Sequence, residues 1–173
     1  SPDTIKDAAS AVLAAGFTPV IPPELDARYH QFAGSDSHRA HHLNSAFLDQ
    51  SIRAVFALRG GYGSGRLLPL LDSSAYIADP TWIIGFSDIT ALHSWSTNLG
   101  ISSLHAPVAS TLSSTSPSDV EEIWSNLRGE CDYNPNMKVV GGNLSVLYSL
   151  LGTPYFPNVH GSTLFVEDID EYL

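Results

Sequence analysis

The sequence is poor in cysteine, in basic residues and in long apolar runs. A single cysteine, Cys131, in 173 residues excludes an internal disulfide framework and favours a reducing compartment, so we expect a cytoplasmic protein. Eight basic residues against eighteen acidic ones give a formal net charge of −10. Such a chain repels phosphate backbones and anionic lipid surfaces, so neither a nucleic-acid nor a membrane partner is expected. No apolar run approaches the roughly 20 residues of a membrane span.

What the chain does contain is an alternation of helical and strand patterns. Segments whose apolar residues recur at helical spacing alternate with short, fully apolar runs that are typical of buried parallel strands. This alternation predicts an α/β layered fold with a mainly parallel sheet flanked by helices. Helices are predicted at 1–16, 38–52, 66–71, 88–97, 117–127 and 143–151, strands at 18–21, 54–58, 81–84, 102–106 and 162–166, and loops at 24–36 and 110–118.

The stretch GFSDIT, residues 85–90, stands between a predicted strand and a predicted helix. Such a turn places Ser87 at the carboxyl edge of a parallel sheet, where clefts form and the first helical amides point. These residues suit a nucleophilic serine beside an oxyanion site, although helix capping by Ser87 or Asp88 explains the local pattern more simply. The nucleophile-elbow pattern G-x-S-x-G is not met, because Ile89 stands at the second glycine position.

The loop RGGYGSGR, residues 59–66, follows the strand predicted at 54–58 and contains four glycines. Glycines let the backbone approach a ligand closely and expose its amides. A P-loop would need a closing Gly-Lys-Ser/Thr, whereas residues 65–67 read Gly-Arg-Leu, and the dinucleotide spacing G-x-G-x-x-G is also absent. The loop therefore favours an oxyanion hole or a clamp for a substrate carboxylate, with a tight strand–helix connection as the alternative. Its Tyr62 is the aromatic residue that we expect nearest to a ligand.

Four blocks in this order resemble the serine LD-carboxypeptidases, a family that includes the microcin-immunity peptidases. They are ALRGGYGSGRLLPLLD, IIGFSDITALH, VVGGNLSVLYSLLGTPYFP and LFVEDIDEY. The resemblance covers nearly the whole chain but not the whole length of the family. It implies an N-terminal nucleophile domain over 1–115, without the family's first strand, and a linker with the start of the C-terminal domain over 116–173. The chain is accordingly expected to be a fragment, cut at both ends.

The resemblance also implies a Ser-His-Glu triad that hydrolyses an L-to-D peptide bond of a muropeptide or a related peptide-nucleotide, without a metal or other cofactor. Ser87 corresponds to the nucleophile, and Glu167 to the triad acid in preference to Glu171. The implied oxyanion donors are the amides of Gly60 or Gly61 and of Asp88. His105 matches a family block that usually reads HGP, so it is expected to line the cleft.

The chain departs from the family in lacking the catalytic histidine, which lies beyond the glutamate block. We therefore expect this chain alone to be inactive. The alternative is a non-catalytic α/β domain that binds a small peptide. Because members of the family commonly form dimers, the resemblance also implies a homodimer. His38 and His42 are spaced i, i+4 as in a metal pair, but without a supporting ligand a solvated helix face is the better interpretation.

Overall fold

Six α-helices and five β-strands form in residues 2–132 and 137–169, the parts of the chain that the computed structural model describes. Short 3₁₀ turns lie at Ser64–Arg66, Leu68–Leu70, Ser87–Ile89 and Ala109–Ser114. The helices are α1 (Pro2–Ala14), α2 (Asp36–Leu48), α3 (Ser73–Ala78), α4 (Thr90–Asn98), α5 (Pro117–Arg128) and α6 (Leu144–Leu150). The strands are β1 (Ala54–Phe56), β2 (Trp82–Gly85), β3 (Leu104–His105), β4 (Val139–Asn143) and β5 (Thr163–Glu167).

The strands form two parallel sheets, which confirms the predicted α/β fold. In the first sheet β2 lies between β1 and β3, and Gly85 at the end of β2 pairs with His105 of β3. In the second sheet β4 pairs with β5, and Asn143 lies opposite Glu167. Since the strands within each sheet run the same way, their carboxyl ends, and the turns that follow them, meet at one edge.

The first sheet is covered on both faces, which explains its continuous apolar strands. Ile83 and Ile84 of β2 point to opposite faces and are 1% and 0% exposed. Ile83 packs in a cluster with Phe47 of α2 and Trp95 of α4, whereas Ile84 packs in a second cluster with Trp124 of α5. Burial on both sides fixes the position of β2, and with it the turn that follows.

The strand predicted at 18–21 is wrong. In the part of the chain that the structure describes, this segment joins no sheet, and Val20 and Ile21 remain 66% and 50% exposed. A short apolar run forms a strand only where the edge of a neighbouring strand accepts its backbone hydrogen bonds.

The helix predicted at 66–71 is also wrong. Two 3₁₀ turns form there, because Pro69 offers no amide hydrogen for a continuing helix. An unpredicted helix, α3, follows, and the Asp72 side chain caps it by accepting hydrogen bonds from the amides of Ser74 and Ala75. A 3₁₀ turn likewise occupies part of the loop predicted at 110–118.

β4 is a strand that the sequence analysis missed. Its sequence, VVGGN, contains two adjacent glycines, which are depleted in strands. β4 and β5 lie beyond the domain division expected after residue 115, and that division stays a prediction. No helix within the described ranges is both long and apolar enough to cross a membrane.

Candidate active site

Ser87 lies at the carboxyl end of β2 in a strained backbone conformation. Its φ is +59°, in the left-handed region, and its side chain is half-buried. The left-handed conformation costs a residue with a Cβ about 1–2 kcal/mol of conformational free energy, so it persists only because the surrounding structure imposes it. Nucleophilic serines at strand–helix turns share such a sharp geometry.

Gly85 is required two residues before the serine. Its φ is +154°, and a Cβ at this position would lie 2.9 Å from Cγ1 of Ile89 and 3.0 Å from Cβ of Ala57. The side chain of Ile89, the residue that departs from G-x-S-x-G, thus packs against the glycine that permits the turn.

The glycine loop lies directly against Ser87. A Cβ on Gly60 would come within 3.2 Å of the Ser87 Cβ and 3.4 Å of its Oγ, whereas one on Gly61 would meet the Arg59 guanidinium at 3.2 Å. With the described residues, the amides of Gly60 and Gly61 form no hydrogen bond. Asp88 lies in the 3₁₀ turn Ser87–Ile89, where the Ile89 amide donates to the Phe86 carbonyl at 3.2 Å but the Asp88 amide forms no hydrogen bond within the described residues. Of the two predicted glycines, Gly60 is therefore the one beside the hydroxyl.

The Asp88 carboxylate ties the glycine loop to the serine turn. It is 9% exposed and accepts hydrogen bonds from the amide of Ser64 at 3.0 Å and from its hydroxyl at 2.7 Å. A buried carboxylate with two donors is well satisfied and holds its partners in place. The sequence analysis assigned a role only to the Asp88 amide, and it missed Ser64, whose type and position in a glycine-rich loop gave no distinguishing signal.

Glu167 and His105 meet at the carboxyl ends of β5 and β3, which belong to different sheets. The Nε2 atom of His105 lies 3.7 Å from Oε1 of Glu167, and the imidazole packs edge-on against Phe165. That Glu167 oxygen is buried and has no hydrogen-bond partner among the described residues. Burial lowers the pKa of His105, and the nearby Glu167 carboxylate opposes that shift. Glu171, the alternative triad acid, lies outside the described residues.

A hydrogen bond from β4 connects Glu167 to the serine turn. The Asn143 amide donates to Oγ1 of Thr90 at 2.9 Å, and Thr90 begins the helix that follows Ser87. Asn143 pairs with Glu167 across the second sheet, and its side chain accepts a hydrogen bond from the Val146 amide. This bond caps the start of α6. The sequence analysis missed Thr90, since a threonine at a helix start usually indicates no more than a cap.

His93 is hydrogen-bonded to the backbone of the serine turn. Its Nε2 lies 2.9 Å from the carbonyl oxygen of Gly85 and its Nδ1 lies 2.8 Å from Oγ of Ser103. Because a carbonyl only accepts, Nε2 carries the hydrogen and donates it, and Nδ1 accepts from the serine hydroxyl. Burial lowers the pKa of His93 to about 4. The neutral imidazole is therefore a structural part of the turn.

This arrangement predicts an acid-sensitive stability. Unfolded His93 binds a proton near pH 6.5 and the folded protein only near pH 4, so the unfolded state binds more protons between these values. The stability from this group is present above pH 6.5 and is lost as pH falls towards 4, by about 3 kcal/mol in total. In urea unfolding, His93→Gln should lower stability at pH 7 and flatten its dependence over this window. The exposed loop variant His160→Gln, which keeps the buried imidazole of His93, is the control, and a His93→Gln profile as steep as that of the control would contradict the assignment.

The remaining predicted candidates lie away from these contacts. Tyr62 projects from the glycine loop and is 84% exposed. The rings of His38 and His42 pack edge to face, 4.5 Å apart, and His38 lies 3.8 Å from Glu24. In the described ranges, no group of three or more His, Cys, Asp or Glu side chains is placed to hold a metal ion.

A hydroxyl on a strained turn at the end of a buried parallel strand, beside backbone amides without a hydrogen-bond partner, is typical of α/β enzymes with a serine nucleophile. Two models of protein families match this chain. The sequence model of the LD-carboxypeptidase N-terminal domain family matches residues 1–106, and the sequence model of the C-terminal domain family matches residues 137–173. The chain belongs to the LD-carboxypeptidase family, which confirms the resemblance found in the sequence.

Individual relatives place the chain within that family. It is 34% identical over 172 residues to the murein tetrapeptide carboxypeptidase of Pseudomonas aeruginosa, covering 85% of this chain and 55% of that protein. The crystal structure of muramoyltetrapeptide carboxypeptidase from Oxalobacter formigenes superposes with a TM-score of 0.84 at 27% identity, over 98% of this chain and 62% of that one. MccF bound to glutamyl sulfamoyl guanosine shares the fold, with a TM-score of 0.85 at 22% identity over 96% of this chain and 63% of that one. The chain spans about half the length of the curated relatives it matches.

Proposed function

We propose that the complete gene product containing this chain is a serine LD-carboxypeptidase that hydrolyses an L-to-D peptide bond of a muropeptide. The observation that carries the proposal is the left-handed backbone of Ser87, held against Gly60 at the carboxyl end of a buried strand. The name of the Pseudomonas aeruginosa relative supports the substrate class. A peptide-nucleotide is the second substrate class to test, because MccF was solved with glutamyl sulfamoyl guanosine.

In the proposed reaction Ser87 Oγ attacks the carbonyl carbon of the L-to-D bond. The tetrahedral oxyanion accepts hydrogen bonds from the amides of Asp88 and of Gly60 or Gly61. The bond to the D-amino acid then breaks, the leaving amine takes a proton, and an acyl group remains on Ser87. Water hydrolyses this ester and restores the hydroxyl.

The proposed base is a histidine outside these 173 residues. Within the described ranges no histidine forms a hydrogen bond with Ser87. The buried Oε1 of Glu167, which accepts no hydrogen bond within the described residues, supports its role as the group that orients an imidazole, since a buried carboxylate oxygen is stabilised by a donor. His105 Nε2 lies 3.7 Å from that oxygen, which supports its proposed place in the cleft.

The test is the release of D-alanine from a muropeptide by the complete gene product. We expect turnover on the order of 1–10³ s⁻¹ for a peptide ending in D-alanine. The matched peptide ending in L-alanine should be cleaved far more slowly, and glutamyl sulfamoyl guanosine tests the second substrate class. Binding of the D-peptide without hydrolysis, by a protein that is folded by circular dichroism, would refute the proposal and favour the non-catalytic binding domain.

A further inference from the structure

Arg59 shares the glycine loop with the groups that surround Ser87. Its Nη1 donates a hydrogen bond to the carbonyl oxygen of Gly60 at 3.1 Å. The same guanidinium lies against Gly61, where a Cβ would come within 3.2 Å of Nη1. Gly60, on the other side of this dipeptide, lies against Ser87 Oγ. The nucleophile and a positive charge therefore flank two adjacent glycines.

Arg59 is exposed, and its guanidinium forms no ion pair with a carboxylate within the described ranges. Most other arginines of the chain are ion-paired. Arg53 pairs with Asp79, Arg39 and Arg66 share Asp36, and Arg128 pairs with Glu121 and Glu130. In a chain of net charge −10, an uncompensated guanidinium beside the candidate nucleophile is a distinctive local feature.

The position of Arg59 suits an enzyme that releases one C-terminal residue, because such an enzyme needs a cation at a limited distance from its nucleophile. The terminal carboxylate carbon of such a substrate lies at most about 4 Å from the scissile carbonyl carbon, because only three bonds separate them. The hydroxyl attacks that carbonyl from about 3 Å, so a cation for the carboxylate belongs on the order of 10 Å from Ser87 Oγ. The guanidinium of Arg59 lies against Gly61 and the hydroxyl of Ser87 lies against Gly60. Since the Cα atoms of these adjacent glycines are about 3.8 Å apart, the flexible Arg59 side chain comes into this range.

We infer that Arg59 binds the C-terminal carboxylate of the residue that is released, an inference that rests on the proposed function. One guanidinium N–H holds the Gly60 carbonyl and leaves the other donors for a two-oxygen contact with the carboxylate. Selectivity for the last residue follows, because an internal residue carries a neutral amide at the same place. Arg59 is thus a specificity residue for the free terminus.

The experiment compares a muropeptide ending in D-alanine with the same peptide ending in D-alaninamide. Arg59→Met should lower kcat/KM for the free acid roughly 10- to 100-fold, mostly through KM, because a charged hydrogen bond is lost. The loss for the amide should be much smaller than the loss for the acid, so that the preference for acid over amide collapses. Arg59→Lys should restore part of the preference as a point charge. Arg53→Met is the matched control, because Arg53 precedes the other end of β1 and pairs with Asp79.

Equal losses for acid and amide in Arg59→Met would overturn the inference and indicate that Arg59 only orders the loop. An unchanged preference would overturn it as well. Binding of both peptides to the Ser87→Ala variant, measured by calorimetry, separates this inference from the proposed reaction. If the unmodified protein does not hydrolyse the peptide but Arg59→Met still weakens binding of the acid alone, the reaction fails and the carboxylate site stands.

Discussion

Ser87→Ala in the complete gene product is expected to lower kcat for D-alanine release by about four orders of magnitude or more, with little change in substrate binding. The hydroxyl is the proposed attacking group, whereas the amides of the glycine loop remain in place to bind the peptide. A change in KM alone, with kcat near that of the unmodified protein, would remove Ser87 from the mechanism. The kcat is measured by following the release of D-alanine by chromatography, and substrate binding is measured by calorimetry.

Two further variants separate chemistry from stability at this position. Ser87→Gly should be equally inactive but about 1 kcal/mol more stable than Ser87→Ala, because glycine adopts a φ of +59° without the penalty of a Cβ. Ser74→Ala, which removes an exposed hydroxyl on α3, should leave both activity and stability nearly unchanged. If alanine were as stable as glycine at position 87, the strain that we assign to the turn would be absent.

The position of the candidate nucleophile could be predicted because local rules act on it directly. An apolar run, a glycine and a polar residue before a helical pattern predict a strand–helix turn, and the structure has one at Ser87. The contact of that turn with Gly60 depends on the sheet that brings β1 beside β2, which follows from the parallel fold. The roles of Ser87, Glu167 and the oxyanion amides stay proposals, as do the cytoplasmic location and the homodimer.

The parts that could not be predicted depend on long-range packing. Residues 18–21 have the pattern of a strand, but no described strand pairs with them. β4 has the glycines of a turn, yet it is a strand because a second strand lies alongside. The hydrogen bonds of Asp88 to Ser64 and of Asn143 to Thr90 span 24 and 53 residues of sequence, and no local pattern encodes them. These contacts connect the segments that surround the site.

Gly141→Ala should be among the most destabilising substitutions in the chain. Gly141 of β4 pairs with Phe165 of β5, its φ is +148°, and a Cβ there would lie 1.7 Å from the Phe165 carbonyl oxygen. The overlap is with backbone, so only separation of the two strands relieves it. We expect a loss of about 4 kcal/mol or more in urea unfolding, from the forbidden φ together with the broken ladder.

Gly152→Ala isolates the steric part of that effect. Gly152 also has a positive φ, +76°, but a Cβ on it would meet nothing within 4 Å. Its cost should therefore be the backbone term alone, about 1–2 kcal/mol. Because Glu167 is held by the pairing of β5 with β4, Gly141→Ala should also lower kcat, whereas Gly152→Ala should not. Equal destabilisation by the two variants would show that β4 and β5 are not packed as closely as this register requires, and the proposed role of Glu167 would lose its support.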